Sequence, residues 1–182
     1  MVAFYEDMKR QVVEAGRDPI SCKILPGVTP ILGETDSIAR ERADYLDSLQ
    51  HSEYDLAYAS LSVGADLSKH QTLEEVSNVR GNQGTRGRTD ELNQFAEKSG
   101  VTLAEAAAKR SRGGSLVGTP ESVADELQDL FESGACDGFV IMPTTFPGSH
   151  EQFCRSVVPE LQRRGVFRKE YSASTLRGNL LS

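Results

Sequence analysis

The sequence predicts an α/β fold with parallel strands, on three observations. Two stretches, Ser21–Gly33 and Phe139–Met142, are short and continuously apolar, as strands buried on both faces of a parallel sheet are. Each stands between segments whose apolar residues recur at helical spacing. The connection before the second, Gly134 through Asp137-Gly138, has the tightness usual between a helix and a strand in α/β units.

The elements follow in order. Phe4, Met8 and Val12 recur every four residues and Gly16 follows, so residues 3–15 read as an amphipathic helix ended by a left-handed glycine. Asp18-Pro19 makes a turn into the first strand, where Pro26 and Pro30 sit uneasily with ladder hydrogen bonding. Thr35 or Asp36 can cap the next helix, where Ile38, Tyr45, Leu46 and Leu49 line one face through about residue 50.

The second half is more sharply punctuated. Thr119 is an N-cap, Pro120 takes the first helical position where its missing N–H costs nothing, and Glu121 favours the positive helix end. Val123, Leu127, Leu130 and Phe131 then form an apolar stripe, with Leu127 and Phe131 expected in the core. After the second strand, Ser149 with Gln152 reads as a capping box opening a helix that turns Phe153, Val157 and Leu161 inward. Pro159 should break or kink that helix and Gly165 should end it.

Residues 51–115 differ in kind, being polar and glycine-bearing. Leu92, Phe95 and Ala96 suggest a short helix ending at Gly100, and Thr102 with Glu105 a capping box. The stretch reads as a long helical and loop insertion, a length usually associated with lids or disordered segments. The chain is expected to be one domain over residues 1–182.

Composition narrows the function. The 182 residues are 38% hydrophobic and 26% charged, the balance of a folded globular protein. Twenty Lys and Arg against twenty-seven Asp and Glu give a net charge of −7, which argues against a nucleic-acid partner. No apolar run approaches the roughly 20 residues of a membrane span, and the N-terminus lacks the pattern of a signal peptide, so a cytoplasmic location is expected. Cys22, Cys136 and Cys154 are odd in number and far apart, as reduced thiols are.

Candidate site residues are few. Arg80, Arg86 and Arg88 share nine residues with three glycines, a composition suited either to a phosphate-binding or substrate-binding lid or to a solvated loop. Between residues 80 and 112 seven basic residues face four acidic ones, so positive charge is local in an acidic chain. Thr144 and Thr145 follow the second strand, where the ligand-binding groups of α/β barrels gather; they could face a cofactor or merely satisfy loop backbone. His51, His70 and His150 have no partner at metal-ligand spacing, so no metal is expected, and His150 reads as a surface residue of a first helical turn. Gly113-Gly114-Ser115-Leu116-Val117 falls one residue short of a nucleophile elbow, which excludes a serine hydrolase. No residue stands out as a catalytic acid, base or nucleophile.

The words VGTPESVAD, DGFVIMP and VVPELQRRG, followed by Tyr171 and Ser174-Thr175-Leu176-Arg177, carry a family likeness. With Lys23-Ile24-Leu25-Pro26-Gly27 and Gly33-Glu34-Thr35, they resemble the C-terminal part of the flavin-dependent monooxygenases of the bacterial luciferase-like superfamily, in particular the nitrilotriacetate monooxygenase group. The resemblance implies a TIM-type (β/α)8 barrel, here incomplete: about strands 7 and 8, with residues 51–115 as the insertion over the active-site mouth. It implies reduced FMN, supplied by a separate NAD(P)H-dependent flavin reductase, and O2 used to oxygenate a small organic substrate. A closed barrel takes about 250 residues, so the chain alone is expected to be inactive. It would work as a homo-oligomer or with the missing N-terminal part, and the alternative is a non-catalytic subunit that only associates.

Overall fold

The structure is a computed structural model that describes residues 1–49, 52–69, 94–101, 105–106 and 114–181. They fall into two compact units, one of Met1–Asp44 with Gly114–Ser182 and one of Tyr45–Gly113.

The first unit holds a three-stranded parallel sheet formed by β1 (Gly27–Leu32), β2 (Ser115–Gly118) and β3 (Val140–Ile141), with β1 in the middle. Thr29 pairs with Ser115 on one side of β1, and Gly27 with Val140 on the other. The parallel pairing of the two apolar stretches agrees with the sequence, though β1 is shorter than Ser21–Gly33. Pro19–Ser21 is a single 3₁₀ turn capped by Asp18, whose carboxylate accepts from the Ile20 N–H at 2.9 Å. Pro30 is tolerated for a geometric reason. The Thr29 and Gly33 N–H groups point towards β2, so alternation turns the Pro30 nitrogen towards β3, whose pairing ends at Val28.

β2 is a correction. Ser115–Gly118 reads in sequence as a failed catalytic motif at the end of the insertion, and it is a strand in register with Thr29–Leu32. Four residues are too few to show a period, and the glycines on either side mask it.

The helices of this unit are α1 (Val2–Glu14), most of α2 (Asp36–Ser48), α4 (Pro120–Glu132), α5 (Ser149–Arg163) and α6 (Leu176–Leu181), with α3 (Ser52–Val63) in the other unit. α4 and α5 cover one face of the sheet. Val28, Leu32, Leu116, Val123, Ala124, Leu127, Phe153 and Val157 form the core there. On the opposite face Val140 and Met142 remain half exposed. Arg164 stitches α4 to α5, bonding Glu160 at 2.8 Å and Asp125 at 2.6 Å.

Several expectations about these helices need amendment. Phe131 is 47% exposed, because α4 rests on the sheet through Val123, Ala124 and Leu127 and the stripe turns outward beyond them. α2 buries only Ala39, while Ile38, Tyr45 and Leu49 face out. Phe4 is likewise exposed on α1, and Val12 is the residue that α1 buries. Pro159 does not break α5, which continues to Arg163, and Gly165 (φ +79°) follows its end as expected. The N-cap of α5 is Gly148; the Ser149 hydroxyl donates backwards to the Thr145 carbonyl at 2.8 Å, so no capping box forms.

The second unit contains α3 (Ser52–Val63) and a short helical stretch over 94–99 that stops at Gly100. Its core is Ala65, Leu67, Ala96 and Ala106, with Leu56, Phe95 and Val101 packed against it. Thr102, half of the expected capping box, lies outside the described residues.

Candidate functional site

Because the three strands are parallel, their carboxyl ends share one edge of the sheet, the edge where α/β proteins bind ligands. Three connections leave it: 33–35 into α2, Thr119 into α4, and 142–148 into α5.

The first two connections are closed by local chemistry. A Cβ on Gly33 would lie 2.4 Å from the Ala39 nitrogen, and one on Gly118 would lie 2.2 Å from the Ser122 Oγ. Glycine therefore lets each helix start directly on its strand end. The Thr119 hydroxyl accepts from the Ser122 N–H at 3.2 Å, and the Ser122 hydroxyl donates to the Thr119 carbonyl at 3.1 Å. Arg42 donates to the Leu32 carbonyl and pairs with Glu34 at 3.5 Å. Thr119, Ser122 and Arg42 thus bond groups of their own connections.

The third connection carries the two sequence-predicted threonines. Thr144 is half-buried and Thr145 exposed, directly beyond β3. Two carbonyls here meet other side chains: Ser149 donates to the Thr145 carbonyl, and the His150 Nε2 lies 3.1 Å from the Ile141 carbonyl oxygen. His150 is exposed in the first turn of α5, where the sequence put it. Its ring meets Phe146 edge-on at 6.2 Å between centroids. Phe146 itself is 82% exposed, an aromatic side chain held out at the strand edge that sequence reading passed over. The available signal was an aromatic residue inside a turn-forming Thr-Thr-Phe-Pro-Gly stretch.

Arg80, Arg86 and Arg88 lie outside the described residues, as do His51 and His70. Among the described residues no group of three or more His, Cys, Asp or Glu side chains gathers to hold a metal, and no helix is long and apolar enough to cross a membrane. Cys136 is buried before β3, and burial pushes its thiol up from the ordinary range, which makes it a poor nucleophile.

A flavin needs a wall for its ring system and donors for its phosphate. At the ends of β1 and β2, Arg42 and Ser122 donate to their own carbonyls and cap. The described residues do not by themselves make a complete flavin site.

Comparison with known proteins agrees with the architecture. Residues 1–137 match the family described as luciferase-like monooxygenase. The chain is 40% identical over 187 residues to dibenzothiophene-sulfone monooxygenase of Rhodococcus erythropolis, covering 99% of this chain and 41% of that protein. It is 33% identical over 186 residues to nitrilotriacetate monooxygenase component A of Aminobacter aminovorans, covering 98% and 40%. Among solved structures, riboflavin lyase with modified FMN and its substrate riboflavin superimposes with a TM-score of 0.82 at 27% identity, covering 97% of this chain and 39% of that one. The chain thus spans about two fifths of the length of these relatives. Both the sequence and the fold agree that this chain belongs to the luciferase-like monooxygenase family.

Proposed function

We propose that the chain forms part of a two-component FMN-dependent monooxygenase, which uses O2 and reduced FMN delivered by an NAD(P)H-dependent flavin reductase to oxygenate a small organic substrate. The observation that carries this reading is the match over almost the whole chain to proteins named as monooxygenases, together with the likeness to a structure that holds modified FMN. On this reading β1, β2 and β3 are strands of a (β/α)8 barrel, and the residues between α2 and β2 are the insertion. The parallel pairing of Gly27 with Val140 supports that assignment. Thr144 and Thr145 are assigned to the wall of the flavin pocket, and Arg80, Arg86 and Arg88 to binding an anionic group of cofactor or substrate.

The test uses tagged protein isolated from the cells that make it, so that any polypeptide bound to it is retained. With a flavin reductase, NADH, FMN and 18O2, a panel of a sulfone, a thioether, an alkane and an aminopolycarboxylate is searched for product carrying one 18O. Label incorporation that requires the chain supports the reading; no product above the reductase-only control, with no quenching of FMN fluorescence, overturns it.

A second reading, a subunit that associates without catalysing, is favoured by the half-exposed Val140 and Met142 on the uncovered face of a parallel sheet. Size-exclusion chromatography of the same preparation separates the two. Under this reading the chain elutes in a complex with no flavin absorbance and no turnover.

A further inference from the structure

The chain that follows α5 folds into a small cavity of its own. Arg168, Tyr171, Ser174, Leu176, Asn179 and Leu180 line a volume of about 330 Å³, at the lower end of the range of about 300–1,000 Å³ typical of small-molecule sites. Tyr171 and Ser174-Thr175-Leu176 are among the words that carry the family likeness, and the function proposed above gives them no role.

Hydrogen bonds fix the backbone on both sides of this cavity. Gln162 of α5 donates to the Arg168 carbonyl at 2.8 Å. Asn179 of α6 closes the turn before its own helix: its Oδ1 accepts from the Ala173 N–H at 2.9 Å, and its Nδ2 donates to the Ala173 and Thr175 carbonyls at 2.8 and 3.0 Å. A Cβ on Gly178 would come within 2.6 Å of the Ala173 Cβ, so the turn lies directly on α6.

The charged group of the lining is held but unused. The Arg168 Cζ lies 5.1 Å from the centroid of the Phe167 ring and 5.0 Å from that of the Tyr171 ring, so two aromatic contacts orient the guanidinium. Arg163 and Arg164, at the end of α5, both bond Glu160. Arg168 has no such partner: among the described residues its guanidinium meets no carboxylate and no hydrogen-bond acceptor, and the Ser174 hydroxyl makes no bond either. Leu176 and Leu180 supply the apolar part of the lining, and Arg168 is its one charged residue, a single positive charge in a chain of net charge −7.

We propose that this cavity binds a small amphiphilic monocarboxylate, with the Arg168 fork on the carboxylate and Leu176 and Leu180 against a short alkyl chain. A planar guanidinium matches a carboxylate with two parallel N–H···O bonds. Because two rings already orient it, it loses little freedom when the anion arrives. One positive charge balances one negative charge, which favours a monoanion over a phosphate dianion, and the leucines favour an alkyl carboxylate over acetate. The inference is independent of the monooxygenase reading.

The experiment needs neither flavin nor oxygen. Titration calorimetry of the full chain, at constant ionic strength, compares hexanoate with hexan-1-ol, acetate and hexyl phosphate. Hexanoate should bind at least about tenfold more tightly than hexanol or acetate, and more tightly than hexyl phosphate. Arg168→Gln should weaken hexanoate by about tenfold or more and leave hexanol unchanged. Arg168→Lys, which keeps the charge without the fork, should weaken it too, and Leu176→Ser should narrow the gap between hexanoate and acetate. In the unsubstituted chain, hexanoate should shift the Arg168 Nε–H resonance and the Leu176 and Leu180 methyls, a readout that stands if a variant fails to fold. No hexanoate binding below about 10 mM, equal binding of hexanoate and hexanol, a preference for hexyl phosphate, undiminished binding by folded Arg168→Gln, or unmoved Arg168 and leucine resonances would each overturn the proposal.

Discussion

The Lys9 ammonium lies 2.9 Å from the Asp137 carboxylate and ties α1 to the loop that enters β3. The same carboxylate accepts from the Tyr5 hydroxyl at 3.0 Å and from the Ile24 N–H at 2.8 Å, so one side chain joins the first helix, the approach to β1 and the approach to β3. Lys9 also donates to the Pro19 and Cys22 carbonyls. All of this is at the amino ends of the strands, away from the candidate site, which marks it as a clasp of the fold.

Asp137→Asn is expected to cost about 2 kcal/mol, the scale of hydrogen bonds to a charged group, as read by urea denaturation. Burial raises the Asp137 pKa, but the bonds from Ile24, Lys9 and Tyr5 outweigh it and hold the carboxyl below its ordinary value. Burial lowers that of Lys9, and the Asp137 bond more than restores it. A depressed carboxyl stabilises above its unfolded pKa of about 4 and stops doing so as pH falls through the folded value. A raised ammonium stabilises below about 10.4 and stops as pH rises through its folded value. Stability should therefore hold between about pH 4 and 10, and the acid-side loss should shrink in the variant. An unchanged acid limb would show that Asp137 is not part of the clasp.

Leu127→Ala should destabilise the chain by about 2–5 kcal/mol, since the side chain is 2% exposed in the core between α4 and the sheet. Phe131→Ala, one turn later, should cost less than about 1 kcal/mol. Similar losses at both positions would place Phe131 in a buried contact.

The Glu160 carboxyl should titrate at about 2, held down by hydrogen bonds from Arg163 and then Arg164. Its contribution to stability is present above the unfolded value of about 4.3 and is lost as pH falls towards the folded one. Carboxyl carbon chemical shifts recorded against pH will show this midpoint. Arg164→Gln should move it upward, and a midpoint already in the ordinary range would remove the pair from the account of how α4 and α5 are joined.

If the chain is part of a flavin monooxygenase and these residues bind an anionic group of cofactor or substrate, Arg86→Ala combined with Arg88→Ala, in the tagged preparation described above, should raise the hydrogen peroxide released per product formed. Oxygen electrode and product assays run together will measure that ratio. An unchanged ratio with unchanged substrate affinity reduces the segment to a solvated loop.

What the sequence made legible follows the strength of local chemistry. Thr119-Pro120 specifies a helix start unaided, and the structure has that cap with its hydrogen bond. Two continuous apolar runs were enough to identify β1 and β3 as parallel neighbours. Burial was less legible than periodicity. Phe131 and Tyr45 have the right spacing but face out, because spacing fixes which residues share a helix face and not what lies opposite it. Ser149 was misread because a hydroxyl at the first helical position can bond backwards to the preceding loop as well as forwards. At the candidate site the position of Thr144 and Thr145 after β3 was legible, whereas Phe146 escaped notice since nothing in a single sequence marks a loop aromatic as held rather than loose.

The place of β1 in the middle of the sheet also sets a timetable for biosynthesis. Thr29 has no partner until Ser115 exists, and Gly27 none until Val140 does. At the roughly 5–20 residues per second of translation, the first apolar strand waits between about 4 and 17 seconds for its first neighbour and longer for its second. Throughout that interval Val28, Ile31 and Leu32 emerge with their hydrogen-bonding groups and side chains uncovered. The core over β1 is therefore complete only when β3 and the Phe153 and Val157 side chains of α5 have also been made.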